Sequence, residues 1–246
     1  MDHTKPTKYT ALICAAGQGK RLMPMTREIP KTLIKVGKKT ILENLLDNLS
    51  ECGLTDVVIL VGYKGNVIEQ KIGNAYRNCN ITYVYNKDYE ITDNFYSIYL
   101  AKEKVLNGMM FFNADIIFNK DILSKIIKDG HDNSLGVANV DSPGAGKNPV
   151  RIKIDEQNKI ADIGHDIGEQ YRYKVFGIYK LSAEATKQYF NLASKFFKDG
   201  PRKGGFWLPF KQITFARQFD VTPIDNTKWI SINTIEEYEK AVGLVD

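Results

Sequence analysis

Apolar and polar positions alternate along the first 130 residues in a pattern that predicts strands and helices in turn. Tyr9–Ala15 and Asp56–Val61 are short apolar runs rich in β-forming residues, which is typical of buried strands. Residues 40–53 repeat apolar side chains at helical spacing and begin with a capping box of Thr40 and Glu43, so they predict a helix. The other elements predicted in this half are helices around Asn66–Ile72, at Asn94–Val105 and at Asp121–Lys128, and strands at Ile81–Tyr85 and Met109–Phe112. This order predicts an α/β fold with a doubly wound, mostly parallel, Rossmann-like sheet.

The second half of the chain follows a different pattern. Its strand-like segments are Leu135–Val140, Val150–Asp155, Lys159–Ile163 and Tyr173–Leu181. A helix at Ser182–Phe197, a strand at Val221–Ile224 and a final helix from Thr234 complete the prediction. Neither a linker nor an internal repeat interrupts the sequence. We therefore expect one domain over residues 1–246, with a mixed-sheet extension in the second half.

Composition narrows the class of protein. The 246 residues are 43% hydrophobic and 26% charged, which excludes a disordered chain and suits one domain with a substantial core. No apolar run approaches the roughly 20 residues of a membrane helix, and the N-terminus lacks the apolar run of an export signal. Cys14, Cys52 and Cys79 suit neither a disulfide framework nor a zinc site, so we expect a cytoplasmic protein with no membrane partner.

Charge is concentrated near the N-terminus. Residues 1–40 hold nine Lys and Arg against two acidic residues, a net charge of +7, while the rest of the chain carries −2. A protein that binds a long nucleic acid usually spreads its basic residues more widely. The pattern therefore favours a compact anionic ligand and no nucleic-acid partner.

A glycine-containing loop follows the first predicted strand. Gly17 and Gly19 can expose backbone N–H groups to an anion, and Lys20 and Arg21 follow at once. Two prolines restrict the loop, so Lys31 can return to the same place. An isolated Gly-x-Gly would equally suit a tight turn, but the prolines and basic residues favour a phosphate site. A P-loop and a dinucleotide fingerprint are both excluded, because an arginine follows the lysine and a leucine replaces the third glycine.

This loop resembles the signature of the nucleoside-diphosphate-sugar pyrophosphorylase family, which runs G-x-G-x-R-[LM]-x-P-x-T and then P-K. The matching positions are Gly17, Gly19, Arg21, Leu22, Pro24, Thr26, Pro30 and Lys31. Four later segments are also similar to the family's, namely Val61–Tyr63, Asn113–Asp115, Phe176–Tyr179 and Trp229–Tyr238. Within the family the chain most resembles small bacterial phosphocholine and aminoethylphosphonate cytidylyltransferases, whose polar segment with a spaced Asn and Ser corresponds to Thr92–Ala101.

The resemblance implies a nucleotide-diphospho-sugar transferase-like fold and a Mg²⁺-dependent reaction. CMP from CTP would join a small phosphate- or phosphonate-bearing acceptor, with release of pyrophosphate. Residues 1–130 would form the nucleotide-binding half and residues 131–246 the acceptor-binding half. Two alternatives stay open: a sugar-1-phosphate acceptor, and a nucleotide-binding regulatory relative without activity. The sequence also leaves open whether the chain forms a homodimer.

The resemblance also implies roles for individual residues. Arg21 would hold the leaving pyrophosphate, Lys31 would offset charge at the α-phosphate and acceptor, and Asp115 would bind Mg²⁺. The nucleotide-binding set is Ala15, Ala16, Gly17, Gln18, Gly19, Lys20, Arg21, Lys31, Asn94, Ser97 and Asp115. Asn94 and Ser97 lie one helical turn apart, and they suit contact with the nucleobase or ribose and helix packing about equally.

Three departures from the family pattern accompany this match. Ser231 and Asn233 stand where relatives carry acidic residues, so the second metal ligand is open, and Asp225 is close in sequence. His165 aligns with a lysine of the relatives, which leaves the contact to the acceptor phosphate open.

Six aromatic residues could form a cage for the quaternary ammonium group of choline, although most of them suit packing in the core better. They are Tyr89, Phe95, Tyr96, Tyr99, Trp207 and Phe210.

Overall fold

The computed structural model describes residues 8–142, 149–156, 159–204, 206–216, 219–225 and 228–245. Its strands are β1 (Thr10–Ala15), β2 (Lys35–Val36), β3 (Lys39–Thr40), β4 (Asp56–Val61), β5 (Ala75–Tyr76), β6 (Cys79–Tyr85), β7 (Gly108–Asn113), β8 (Ile116–Phe118), β9 (Ser134–Asn139), β10 (Arg151–Ile154), β11 (Ile160–Gly164), β12 (Tyr173–Ser182), β13 (Asp220–Pro223) and β14 (Trp229–Ser231). Its helices are α1 (Ile41–Glu51), α2 (Gly65–Ile72), α3 (Asn94–Leu100), α4 (Lys120–Ile127), α5 (Ala183–Phe196), α6 (Trp207–Ala216) and α7 (Ile235–Val245).

Ten of these strands form one mixed sheet. The strands of the first half lie in the order β6–β4–β1–β7, and each neighbouring pair is parallel. The second half extends this sheet through β12, which pairs antiparallel with β7, β9 and β10. The mostly parallel α/β sheet with a mixed extension, predicted from the sequence, is thereby confirmed.

Helices cover both faces of the sheet because side chains of β1 alternate between two cores. Ala11 and Ile13 pack with α1, α2 and α4, whereas Leu12 and Cys14 pack with α3, α5 and α6. Strands buried on both faces read as continuous apolar runs, which is the pattern of β1, β4 and β7. None of the helices in the described part of the chain combines the length and apolar character that a bilayer crossing requires.

The helices α1 and α3 begin at the capping residues predicted from the sequence. Thr40 and Glu43 form the predicted capping box of α1, with both reciprocal hydrogen bonds present. Helix α3 begins after Asp93, whose carboxylate accepts from the Phe95 N–H at 3.0 Å. The prediction that this helix reaches Val105 was wrong, because α3 ends at Leu100 and a short 3-10 turn follows.

A small third core joins the beginning and the end of the chain. Leu22 is 0% exposed and lies in the middle of the glycine-containing loop, where it packs with Ile117, Ile232 and Ala241. Full burial of a leucine contributes about 2 kcal/mol to the free energy of unfolding. This contact therefore fixes the loop after β1 against the segment that precedes α7.

Candidate active site

The loop after β1 folds into two short turns that place its polar groups at the carboxyl edge of the parallel strands. Gly19 has φ of 62°, and a Cβ at this position would lie 3.0 Å from the Cβ of Lys31. The Thr26 hydroxyl donates to the Gly19 carbonyl at 3.0 Å and holds the two parts of the loop together. Both the left-handed backbone and the close approach require glycine here.

Arg21 and Lys31 converge on the same atom. Arg21 Nη2 lies 2.9 Å from Asn233 Oδ1, and Lys31 Nζ lies 3.1 Å from it. Lys31 Nζ also donates to Asp115 Oδ2 at 2.9 Å. The side chain of Lys31 is 14% exposed and that of Asp115 is 26% exposed, so this ion pair lies in the wall of a cleft and not in bulk water.

The C-terminal segment reaches the site through pairing between β14 and β8. Ser231 pairs with Ile116, and the Ile232 N–H donates to the Asp115 carbonyl at 2.8 Å. Asn233 Nδ2 donates to Ser231 Oγ at 2.7 Å, which turns Oδ1 of this amide towards the two cations. The backbone N–H of Asn233 donates to Glu237 Oε2 at 2.7 Å, so the first turn of α7 also holds this residue in place.

Two cavities meet at this cluster. The smaller one, about 300 Å³, is lined by the loop after β1 and by the ends of β1 and β7, and the larger one, about 620 Å³, extends towards the second half of the chain. The residues that line both are Arg21, Asn94, Asn113, Asp115 and Asn233. The two cations and the carboxylate therefore lie where a ligand in one cavity would meet a ligand in the other.

The lining of the larger cavity combines aromatic and polar residues. Its five aromatic side chains are those of Phe95, Phe176, Tyr179, Phe206 and Trp229, of which Phe95 and Tyr179 belong to the core on one face of the sheet and Phe176 and Trp229 to the core on the other. Asp93 and His165 are polar residues of the same lining. The Asp93 carboxylate already accepts from the N–H groups of Phe95 at 3.0 Å and Gly204 at 2.7 Å.

Most residues predicted to bind nucleotide line one or both cavities. They are Ala15, Gly17, Gly19, Lys20, Arg21, Lys31, Asn94 and Asp115. Ala16 and Gln18 are not among the lining residues: the Ala16 carbonyl accepts from the Tyr63 N–H, and the Gln18 amide lies 3.5 Å from Glu90.

Ser97 lies outside the lining of both cavities. This side chain is 1% exposed, and its hydroxyl accepts from Asn86 Nδ2 at 2.9 Å beneath the cavity wall. The helical spacing placed Ser97 and Asn94 on one face, but Asn94 lies at the exposed first turn of α3 while Ser97 packs one turn further in. This placement favours the packing interpretation for Ser97, and of the pair only Asn94 lines the cavities.

Of the aromatic residues considered for a choline cage, one lines a cavity and others pack against neighbouring rings. Among the five whose side chains the structure describes, Phe95 alone lines the larger cavity. Tyr96 and Tyr99 pack on the ring of Phe197, and Phe210 packs on Tyr179. The side chain of Trp207 lies outside the described residues.

Several lining residues were not found from the sequence. Thr32 is buried in the wall of the smaller cavity, and its hydroxyl has no hydrogen-bond partner among the described residues. Cys14 lies in the same wall, and burial, with a further contribution from the nearby Asp115 carboxylate, raises the pKa of its thiol far above the ordinary value. Burial thus disfavours the thiolate, which is the reactive form of a cysteine.

The site offers few oxygen ligands to a metal ion, which suits a cation that takes most of its ligands from substrate and water. Among the residues that the structure describes, no three His, Cys, Asp or Glu side chains form a group that could hold a metal ion. Asp225 is exposed, pairs with Lys228 at 3.7 Å and lines neither cavity, so it does not complete such a group. Mg²⁺ is often held by one or two carboxylates with substrate phosphates and water, and Asp115 with the neutral oxygen of Asn233 fits that mode.

Comparison with known proteins finds a matching family model and similar sequences. Residues 10–148 match the family model described as nucleotidyl transferase. Choline-phosphate cytidylyltransferase from Streptococcus pneumoniae is 35% identical over 108 residues, which is 44% of this chain and 45% of the relative. UTP–glucose-1-phosphate uridylyltransferase AglF from Haloferax volcanii is 30% identical over 148 residues, 59% of this chain and 60% of the relative. The alignments thus span about half the length of these relatives.

Likeness in structure covers almost the whole chain. The solved structure of CTP:phosphocholine cytidylyltransferase from Streptococcus pneumoniae superposes with a TM-score of 0.78 over 96% of this chain and 99% of that one. At 23% identity this likeness establishes the fold, which is the nucleotide-diphospho-sugar transferase-like fold expected from the sequence.

Proposed function

This chain belongs to the nucleotidyl transferase family, and we propose that it transfers CMP from CTP to a small phosphate- or phosphonate-bearing acceptor, with release of pyrophosphate. One observation carries the proposal: Arg21 and Lys31 converge, beside Asp115, at the junction of two cavities. The smaller cavity is lined by the glycines and cations of the loop after β1, which suit the phosphates of the nucleotide, and the larger one extends to the second half of the chain, where the acceptor would bind. The division into residues 1–130 for nucleotide and 131–246 for acceptor forms part of this proposal.

The reaction brings two anions together. An acceptor oxygen, already deprotonated at neutral pH, attacks the α-phosphorus; the bond from this phosphorus to the bridging oxygen breaks, and pyrophosphate leaves with that electron pair. Two unit charges 4 Å apart repel by about 4 kcal/mol at an effective dielectric constant near 20. Arg21 would balance the charge on the departing pyrophosphate, and Lys31 would do so at the α-phosphate and acceptor.

The shared contact with Asn233 explains how both cations are held in place. The Asn233 amide oxygen is a neutral acceptor shared by Arg21 and Lys31. Phosphate oxygens carry charge and form stronger hydrogen bonds with guanidinium and ammonium groups. A triphosphate would therefore displace this amide contact without any need to reorient the cations.

Asp115 would be the protein's carboxylate ligand to Mg²⁺, with Asn233 as a neutral oxygen nearby. When bound, Mg²⁺ would offset charge on the phosphates and help to align them. The pairing of Asp115 with Lys31 at 2.9 Å leaves its second oxygen available for such a contact.

CTP is favoured over other nucleotides by the similarity to a choline-phosphate cytidylyltransferase. The aromatic side chains in the lining of the larger cavity suit an acceptor with an apolar or methylated cationic group. The same lining carries polar side chains that can bind the hydroxyl groups of an acceptor. A sugar 1-phosphate is the second candidate acceptor, because one relative is named as a glucose-1-phosphate uridylyltransferase.

A nucleotide-binding regulatory protein without activity is the competing function, motivated by Ser231 and Asn233 in place of acidic residues. A pyrophosphate-release assay with Mg²⁺ separates these functions. The panel contains CTP, UTP, GTP, ATP and dTTP, each with phosphocholine, aminoethylphosphonate or glucose 1-phosphate.

We expect release with CTP and one of the first two acceptors, with ³¹P NMR identifying the cytidylyl product. Arg21→Met should abolish release, while Arg77→Met serves as the matched control, since Arg77 contacts Asp47 and Glu51 away from the site. Nucleotide binding by calorimetry without release from any pair would contradict the transferase and support the regulatory function.

A further inference from the structure

The turn between β4 and α2 lies against the back of the glycine-containing loop, outside both cavities. It contains Gly62, Tyr63 and Lys64, none of which lines either cavity. Lys64 has φ of 50° and ψ of 35°, a left-handed conformation that is disfavoured for a lysine. Backbone of this kind persists where surrounding contacts hold it, and it is often found near functional sites.

This turn contacts both arms of the loop. On the first arm, the Tyr63 N–H donates to the Ala16 carbonyl at 3.1 Å. On the second arm, the Tyr63 hydroxyl lies 3.2 Å from the Thr26 carbonyl and 3.1 Å from the Arg27 carbonyl. Gly62 permits this approach, because a Cβ there would lie 2.9 Å from the Ala16 carbonyl oxygen.

Lys64 adds a charged contact to the second arm. Its Nζ donates to the Arg27 carbonyl at 2.7 Å and to the Glu28 carbonyl at 2.9 Å. The same ammonium lies 5.6 Å from the centre of the Tyr63 ring, so the two side chains support each other. These contacts hold the turn in its left-handed backbone conformation.

The contacts continue from the second arm to the site. Thr26, whose carbonyl accepts from Tyr63, donates its own hydroxyl to the Gly19 carbonyl. Gly19 in turn lies against the Cβ of Lys31. A short series of packed groups therefore connects the turn with the cation that contacts Asp115.

We infer that Tyr63 and Lys64 are positioning residues for the nucleotide, acting as a clamp that fixes both arms of the loop before any ligand arrives. The inference rests on the proposed function, because the ligand that benefits is the nucleoside triphosphate of the smaller cavity. Without the clamp, ordering of the loop would have to accompany binding, and the nucleotide would bind more weakly.

Lys64→Met and Tyr63→Phe remove the clamping groups and keep the apolar parts of the side chains. Lys71→Met in the adjoining helix α2 and Tyr83→Phe are matched controls, since Lys71 is an exposed lysine and the Tyr83 hydroxyl donates to the Gly73 carbonyl away from the loop. Two measurements apply: amide hydrogen exchange of residues 17–31 in the ligand-free protein, and CTP affinity by calorimetry with Mg²⁺.

Both clamp variants should exchange faster in residues 17–31. Lys64→Met, which loses two charged hydrogen bonds, should weaken CTP binding about tenfold. It should raise KM for CTP, with kcat and KM for the acceptor little changed. The controls should match the unaltered protein.

Unchanged exchange, or faster exchange with unchanged CTP affinity, would overturn the positioning role. Absence of nucleotide binding by the unaltered protein would instead overturn the proposed function, and the exchange rates would still decide whether the clamp holds the loop.

Discussion

Lys31→Met tests the centre of the proposed site, because it removes one ammonium group and keeps most of the side chain's apolar stem. The ammonium forms hydrogen bonds with Asp115 at 2.9 Å and with Asn233 at 3.1 Å. Hydrogen bonds to charged groups contribute about 1.5–3 kcal/mol each when buried. Asp115 is 26% exposed, so water replaces much of the loss, and we expect unfolding to become easier by only about 1 kcal/mol.

The catalytic effect should be much larger. In the proposed reaction Lys31 faces charge that increases at the α-phosphate, in a cleft where its own side chain is 14% exposed. Removal of one preorganised donor to a developing oxyanion costs about 3–4 kcal/mol, so turnover should fall by roughly 10²–10³. The prediction is therefore that Lys31→Met lowers turnover far more than it lowers the free energy of unfolding.

Pyrophosphate release at saturating CTP and acceptor measures the first effect, and urea unfolding measures the second. Lys159→Met is the matched control, because Lys159 forms an ion pair of 2.6 Å with Asp220, is 34% exposed and lines neither cavity. Turnover of Lys31→Met within tenfold of the unaltered protein would refute the assigned role. An equal loss in Lys159→Met would show that the effect comes from the fold and not from the site.

Three further predictions address the metal, the loop and the stability of the fold. Asn233→Asp adds a carboxylate to the site, so the Mg²⁺ concentration for half-maximal release should fall; an unchanged Mg²⁺ titration would show that this position is remote from the metal. Gly19→Ala forces alanine into φ of 62° with a methyl 3.0 Å from a lysine stem, and should weaken CTP binding about tenfold. Gly73→Ala also places alanine at a positive φ, with ψ of −171°, but in open space away from the loop, so it should leave CTP binding unchanged whatever it costs in stability. Burial raises the pKa of Asp129, but hydrogen bonds from Lys180 and two hydroxyls outweigh burial and hold that pKa below its ordinary value. The stability that ionised Asp129 contributes is therefore present above pH ~4 and is lost as the pH falls further. Asp129→Asn, which leaves buried Lys180 without its charge partner, should lower the free energy of unfolding by about 3–5 kcal/mol at pH 7 in urea titrations, and a change below about 1 kcal/mol would contradict this account.

The parallel half of the fold could be predicted from the sequence because its signals are local. The strands β1, β4 and β7 are uninterrupted apolar runs, and α1 carries a capping box within four residues. The loop could be predicted for the same reason, since its glycines, prolines and basic residues lie within residues 15–31. Each of these features depends on residues that are close in sequence, so it can be recognised without knowledge of the tertiary structure.

The partner of the two cations could not be predicted in this way. Asn233 lies 212 residues from Arg21 and 202 from Lys31, and its approach depends on the pairing of β14 with β8, each three residues long. Strands this short have no periodicity that distinguishes them from loops. The sequence identified Asn233 as a departure from an acidic pattern, but its contact with both cations follows from packing at the chain's two ends.

That long-range contact has a consequence for how charge is arranged under the proposed function. With an acid at position 233, two carboxylates would face Arg21 and Lys31, and the cluster would be close to neutral before any ligand arrives. With Asn233 the cluster keeps one carboxylate against two cations, and Lys20 adds a third cation to the wall of the smaller cavity. An incoming triphosphate would therefore find a more positive cavity, while the residues that would hold Mg²⁺ supply one carboxylate and a neutral amide oxygen, so the protein without nucleotide should bind this metal weakly.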